Sequence, residues 1–557
     1  MMKFIDDNIL KFKFIILSLF PLIFLSCSTT PPKDYKFHPE LELFDKLVSE
    51  IKRLDGDGLI PRKYRPDSWK SVVQNLRKDL INAKTKNEVG QVFKRLDGSY
   101  PNLHAHITLR KDYDLHSKGR INPSIYFYFE MVNEDKISDA MRIKVRTDRF
   151  FKNLQPDDHP KDGDQVIQLD GKTPKQWKHE LFNHCKSPLL NQCAVEFMDY
   201  FSKELLSWDR SRPLSVKLKR GNRYWTIPVE IEPHIRKKRR GKKSSFSTCA
   251  SEAEKYKGFS LKYEGYHACF YEYEKDRKIG LLRIRSFSYR RTKYPKNYPI
   301  NNIFGAVERF WKLHWKGNHL KYSKLIIDVL DNGGGNSPEA WYGLFYDKPY
   351  QEMYVRFKKI KEIENQEILK HMFYEDPAKF ITLKNWNKKK IIENTPLGEF
   401  LPPMPQFCAD KNKDCNDSLF KPRKHKFKGK VVILTNPWCV SSCVGFVWNM
   451  KRLLGENLKF VGIPDSADSS YARIHLDGYI DSKGRTRIIS RERKAQTHND
   501  IAENAVFTFA LPVSISTDGQ GNIISGIPMK MDKFISRPWS YSWSKWEQEV
   551  LRTAIEL

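Results

Sequence analysis

The sequence has no Cys-x-x-Cys pair and no His-x-x-x-His pair among its 9 cysteines and 15 histidines. Structural and catalytic zinc sites are commonly built on such pairs, so neither a metal-organised fold nor a metal or other cofactor is expected. Acidic residues are also short: 67 Asp and Glu stand against 98 Lys and Arg, a formal charge of +31. That excess draws a protein toward anionic surfaces, whether lipid head groups or acidic envelope polymers, and says nothing about its fold. No nucleic-acid recognition module accompanies the charge, so nucleic acid is not an expected partner. Long apolar runs are absent as well. The apolar stretch at 14–25 is too short for an ordinary spanning helix.

What is present describes a folded chain of several domains. A length of 557 residues exceeds what one hydrophobic core organises, and two to four domains are expected. The hydrophobic fraction of 40% and charged fraction of 30% are those of a globular body. At the start, Lys3, Lys11 and Lys13 precede the apolar stretch, which ends in Phe24-Leu25-Ser26-Cys27. This resembles a bacterial lipoprotein signal, relaxed in having Phe24 where the usual box has Leu. The resemblance implies a signal over 1–27, lipidation at Cys27 and a lipid-anchored place in the cell envelope. The eight further cysteines, even in number, suit an oxidising compartment. Pairing sequence neighbours gives 185–193, 249–269, 408–415 and 439–443, one of 105 connectivities.

Along the chain, 28–134 reads as a tether and a helical region, with Leu43, Phe44, Leu47, Val48 and Ile51 at spacings of three and four. A turn at Leu96-Asp97-Gly98-Ser99-Tyr100-Pro101 leads to a strand from Leu103 to Leu109. Residues 135–235 form a second unit. Asp162-Gly163-Asp164-Gln165-Val166-Ile167-Gln168-Leu169-Asp170-Gly171 is a turn, an alternating strand and a turn, and a hairpin follows at 215–229. This resembles a PDZ domain, carrying a helical insertion over 177–208; PDZ units take up extended peptides by strand addition. The basic run at 236–243 reads as a solvated linker or as a dock for an anionic surface. From 236 to 557 strands alternate with helices, implying an α/β core with parallel neighbours. Strands are expected at 280–288, 325–329, 431–436 and from 460. A helix is expected with Ile303, Val307, Phe310 and Leu313 on one face. The segment 345–428 is an insertion, either a lid or a surface elaboration.

Two segments carry the chemistry. Ile326-Ile327-Asp328-Val329-Leu330-Asp331-Asn332-Gly333-Gly334-Gly335 is a buried strand ending in glycines, whose backbone N–H groups can turn toward an anion. Val432-Ile433-Leu434-Thr435-Asn436-Pro437-Trp438-Cys439-Val440-Ser441-Ser442-Cys443 is a strand followed by a serine at the start of an amphipathic helix. Alone, Ser441 is an ordinary helix N-cap. Together and in this order, with Gly280-Leu281-Leu282-Arg283-Ile284-Arg285-Ser286-Phe287 before them and Leu511-Pro512-Val513 through Gly526-Ile527-Pro528 after, they resemble the C-terminal processing and tricorn-core serine peptidases. The resemblance spans roughly 85–535. It implies a crotonase/ClpP-like α/β catalytic domain, a PDZ-like domain and an N-terminal helical cap. It also implies hydrolysis of peptide bonds in envelope or external proteins through an acyl-enzyme on Ser441. Oxyanion donors would come from Ser442, Gly334 and Gly335.

The base departs from the processing peptidases. Their lysine would stand at Ser466, and no Lys occurs between Lys459 and Lys483. The tricorn-like branch uses a histidine instead, and Leu103-His104-Ala105-His106 resembles its setting. His104 is preferred over His106, and either can take a proton near neutral pH. The orienting acid is expected at Glu503, with Asp500 and Asp465 as rivals. Cys439 and Cys443 flank Ser441, and a disulfide pinning the turn is preferred to a thiol nucleophile. The missing lysine and the Ser442-Cys443-Val444 continuation support a second reading, an inactive relative that binds peptides as an envelope lipoprotein.

Overall fold

The computed structural model describes residues 36–55, 67–100, 102–114, 121–134, 136–146, 151–187, 214–233, 254–288, 303–335, 338–364, 388–405, 419–467, 473–491, 501–537 and 543–557, excepting 347, 352, 353, 502 and 519, together with Glu252 and a few residues between 189 and 197. The expected signal and Cys27, the basic run at 236–243, Cys249, Cys408, Cys415 and Asp500 lie outside them. Among the described residues no helix is long and apolar enough to cross a membrane.

Three helices open the described chain: α1 (His38–Asp55), α2 (Trp69–Ile81) and α3 (Lys86–Ser99). A reciprocal cap starts α3: the Thr85 hydroxyl accepts from the Glu88 N–H while the Glu88 carboxylate accepts from the Thr85 N–H. The turn expected at 96–101 is, over 96–99, instead the last turn of α3. Gly98 is helical there because a Cβ would stand 2.3 Å from the His184 carbonyl oxygen, so packing overrides its poor helix propensity. Strand β1 (His106–Leu109) follows.

The second unit is a five-stranded antiparallel sheet in sequence order: β2 (Ile125–Asn133), β3 (Lys136–Val145), β4 (Gln165–Leu169), β5 (Ser215–Arg220) and β6 (Arg223–Pro228). It begins before the boundary expected at 135, since Ile125, Phe127 and Phe129 are buried in its core. Its helix α4 (Pro174–His184) ends at Cys185, which is bonded to Cys193.

The third unit is a seven-stranded sheet ordered β19-β14-β13-β10-β9-β8-β7. Its strands are β7 (Phe259–Tyr263), β8 (Ala268–Tyr273), β9 (Ile279–Ile284), β10 (Lys324–Asp328), β13 (Lys430–Thr435), β14 (Leu458–Gly462) and β19 (Lys533–Phe534). From β9 to β19 all neighbours are parallel, as the alternation of strands and helices implies. Side chains alternate between two cores. Leu282, Ile327, Ile433 and Phe460 face α5 (Ile303–Phe310) and α6 (Ser442–Leu454). Leu281, Ile326, Val432 and Val461 face Trp546 and Val550 of α7 (Trp543–Glu556). Burial on both faces is why these strands read as continuous apolar runs.

The described parts of the chain between β10 and β13 are built into the fold. Its strands β11 (Tyr354–Phe357) and β12 (Met404–Pro405) join β18 (Ser514–Thr517) in a three-stranded sheet. Val355, Phe357, Leu401 and Met404 share a core with α1 to α3. A four-stranded antiparallel sheet, β1-β17-β15-β16, covers the same core with β15 (Arg473–Ile480), β16 (Thr486–Arg491) and β17 (Phe507–Pro512).

One expectation fails for a local reason. After α5 the chain makes a π-helical turn over Trp311–Trp315. The extra residue rotates the helix face, so Leu313 is 63% exposed while His314 and Trp315 are buried. Trp315→Ala should therefore cost about 3–5 kcal/mol of stability, and Leu313→Ala less than about 0.5 kcal/mol, read from denaturant unfolding.

Candidate functional site

Strands β10 and β13 run in register, Ile327 beside Ile433 and Asp328 beside Leu434, so their following loops emerge together at the carboxyl edge. Below that edge a buried ionic network fixes the first loop. Asp328 accepts from Arg283 (3.0 Å), the Tyr256 hydroxyl (2.7 Å) and the Leu330 N–H (2.9 Å), and Arg283 also donates to the Leu330 carbonyl. Two buried asparagines then tie the loops to each other. The Asn436 side chain accepts from the Asp331 N–H and donates to the Asp331 carboxylate at 2.7 Å. The Asn332 side chain donates to the Ile284 carbonyl, and its main-chain carbonyl accepts from the Val440 N–H.

Ser441 sits where the loops meet. Its φ of +60° with ψ of −124° is a conformation suited to glycine, costing about 1–3 kcal/mol for a side chain. It makes no cap bond, so the N-cap role does not account for it. Gly334 explains how the turn is approached: a Cβ on it would lie 2.6 Å from the Val440 carbonyl, 2.9 Å from the Ser441 Cβ and 3.0 Å from the Ser442 nitrogen. The disulfide expected between Cys439 and Cys443 is present and buried, spanning the serine with Cα atoms 5.2 Å apart. Cys269 is also disulfide-bonded, to a cysteine outside the described residues.

Of the three expected oxyanion donors, one is engaged. The Gly334 N–H donates to the Asn332 side chain at 3.0 Å. The N–H groups of Gly335 and Ser442 have no partner among the described residues, and the Ser442 hydroxyl is bonded to the Gly335 carbonyl. Trp438, 39% exposed, stands three residues before Ser441 at the mouth of the site. Neither the asparagines nor Trp438 were picked out by sequence, although Asn436 directly follows β13 and Asn332 lies four residues past β10.

Behind the turn, the Ser466 N–H donates to the Cys439 carbonyl and the Gly526 N–H to the Ala467 carbonyl. Asp465 lies in this backing segment, fully buried. It accepts from the Ala467 N–H at 2.8 Å, and the backbone N–H of Met529 also favours its charged form. Burial raises its carboxyl to about 7.

The histidines lie on another sheet. His106 is opposite Ala510 of β17, which is also opposite His475 of β15, so these three side chains share one face. His475 was not anticipated. His104 lies in the turn before β1, where the Ala105 N–H donates to the Asn102 carbonyl. Backbone bonds from β18 through Ile524, Gly526 and Ala467 lead back to Cys439. The other end of β17 carries Glu503, exposed in the turn before Phe507, which is opposite Leu109. His106 and Glu503 are therefore at opposite ends of the β1–β17 pair. Three residues of strand separate Ala510 from Phe507 by about 10 Å, which sets Glu503 apart from His106 along the pair. The carboxylate beside His106 is Asp97 of α3, 3.9 Å from its Nδ1. Burial opposes its charge, but Lys186 at 2.7 Å, with His106 and Lys94, outweighs that and holds it below the usual carboxylate range. Lys186 also donates to the Ala105 carbonyl, binding the five-stranded unit to the histidine segment. The Ser441 hydroxyl has no hydrogen bond to a histidine among the described residues.

Neither a protein-family model nor a curated protein matches this sequence. Solved structures do. Mature CPAF complexed with lactacystin superposes with a TM-score of 0.53 at 13% identity, over 93% of this chain and 97% of that one. Mature CPAF alone gives 0.53 at 13% identity over 93% and 95%, and a serine-to-alanine CPAF mutant gives 0.52 at 13% over 93% and 96%. The chain therefore shares the fold of CPAF over nearly its whole length.

Two outcomes follow from the site's geometry. Ser441→Gly should raise stability by about 1 kcal/mol, read from unfolding midpoints, because glycine relieves the left-handed strain. Asp465 binds a proton more tightly folded than unfolded, so its contribution to stability is greatest below about pH 4 and is lost as pH rises toward about 7. Asp465→Asn should flatten that slope in melting temperature measured from pH 4 to 8.

Proposed function

We propose that this chain is a serine endopeptidase of the C-terminal processing/tricorn type, with Ser441 as nucleophile. The carrying observation is the strained, uncapped Ser441 held against Gly334, with the Gly335 and Ser442 N–H groups beside it. On this reading the Ser441 hydroxyl attacks a peptide carbonyl and its proton passes to a histidine of the 104–106 segment. The two N–H groups receive the developing oxyanion, and Asp97 replaces Glu503 as the acid that orients the histidine. The leaving amine takes the proton from the histidine. Water, deprotonated by the same group, then frees the acyl-enzyme.

The substrates are envelope or external proteins, presented as extended segments by the five-stranded unit in the manner of a PDZ groove. The chain is exported and tethered by lipid at Cys27, and the charge of +31 favours an anionic envelope surface. The second reading, an inactive relative that binds peptides, draws on one observation: no hydrogen bond joins Ser441 to a histidine among the described residues. In unliganded sites such contacts are commonly long, which keeps the first reading ahead.

A fluorophosphonate probe separates the two. Wild type should be labelled and Ser441→Ala should not. His104→Ala or His106→Ala should slow labelling by at least about 100-fold, whichever residue is the base. Asp97→Asn should slow it while Glu503→Gln leaves it unchanged. Absence of wild-type labelling, or equal labelling of Ser441→Ala, overturns the nucleophile.

A further inference from the structure

The π-helical turn that expels Leu313 also shapes a surface far from Ser441. The segment from Ile303 runs back along the sheet to Lys321 and enters β10 at Lys324, the amino edge of the parallel strands. Ser441 lies past the carboxyl edge, about 17 Å away along a five-residue strand. On the outward side of this segment Leu313 is 63% exposed and Leu320 is 78% exposed, the two most exposed large apolar side chains among the described residues. Each is flanked by lysine in sequence. Lys316 lies over the half-buried Trp311 ring at 5.6 Å. Lys321, Lys428 and Lys430 have no carboxylate partner among the described residues, and Lys430 helps depress the neighbouring Lys324, after burial. The nearest acid on the helix, Glu308, is already bonded to Arg423 and Lys312.

We propose that this face docks on an anionic lipid surface. Exposed leucines among lysines, three of which (Lys321, Lys428 and Lys430) have no carboxylate partner among the described residues, match the boundary between head groups and acyl chains, where apolar side chains enter and ammonium groups meet lipid phosphates. Nucleic acid would use the lysines but gives no return for leucines in water. Docking by the amino edge leaves the carboxyl edge, with Ser441 and Trp438, facing away from the bilayer and open to substrate. The inference does not depend on catalysis and stands if Ser441 proves inert.

The test uses the full chain with vesicles of phosphatidylcholine alone or with about a third phosphatidylglycerol. The mixed vesicles should slow hydrogen exchange over 311–321, and phosphatidylcholine alone should not. Leu313→Ser with Leu320→Ser, or Lys316→Glu with Lys321→Glu and Lys428→Glu, should lower partition onto mixed vesicles by about tenfold or more. Leu397→Ser, which changes another exposed leucine, should leave it unchanged. An N-terminal anchor contributes equally to every variant and is read on phosphatidylcholine alone. Unaltered exchange over 311–321 on mixed vesicles overturns the proposal. So does protection of 311–321 by duplex DNA where mixed vesicles give none.

Discussion

The close approach of Gly334 to the Val440–Ser442 backbone is the constraint on which the site depends. It leaves no room for one more carbon, so the two loops must arrive from strands held in strict register. Parallel β10 and β13 supply that register, and burial on both faces enforces it, because a one-residue slip would exchange the residues facing the two cores. The Arg283–Asp328 network and the paired asparagines then hold each loop against the other. An ion pair in this position is costly unless every donor and acceptor is used. Asp328 takes three hydrogen bonds, and Arg283 divides its own among Asp328, Glu252 and the Leu330 carbonyl. The network fixes where the Gly-rich loop starts more than it adds stability.

The histidine segment is positioned by parts of the chain that are distant in sequence. Its strand pairs with β17, about 400 residues later, and its carbonyl at Ala105 is held by Lys186 of the five-stranded unit. The same lysine neutralises Asp97. The placement of the histidine segment therefore depends on how the second unit packs on α3, where Gly98 meets His184 and the Ser99 hydroxyl bonds the His184 ring. Cys185–Cys193 closes the helix end that carries these residues. Substrate held by the five-stranded unit and chemistry at the carboxyl edge would thus share one rigid contact.

What the sequence disclosed follows the range of the forces involved. The parallel core was legible because burial on both faces writes itself as unbroken apolar strands, and the Gly-rich loop and Ser441 were legible by their place after such strands. The Cys439–Cys443 pair was legible from proximity. Leu313 misled because a π turn changes the helical period without leaving a compositional mark. Gly98 misled because its reason, a neighbouring carbonyl from another unit, is tertiary. The insertion looked like surface since its strands are short and the sheet they form is completed by a segment beyond residue 510. The orienting acid was hard to read because position before a late strand does not say which end of that strand faces the site. Asp97 was passed over as a turn residue in Leu96-Asp97-Gly98-Ser99.

The backbone at Ser441 bears on whether the site is merely a relic of a fold. A helix N-cap returns a hydrogen bond for its conformation, and Ser441 returns none. Glycine would occupy the same φ and ψ without strain, and Gly334 and Gly335 show that this loop pair uses glycine where only backbone is required. A serine kept at about 1–3 kcal/mol of strain, spanned by a buried disulfide, makes structural sense only if the direction of its side chain matters. Strain alone does not identify chemistry, but it distinguishes this residue from Ser442, whose hydroxyl is bonded to the Gly335 carbonyl and whose backbone is regular helix. Of the two adjacent serines, one is fastened into the structure and the other has a hydroxyl without a hydrogen-bond partner among the described residues.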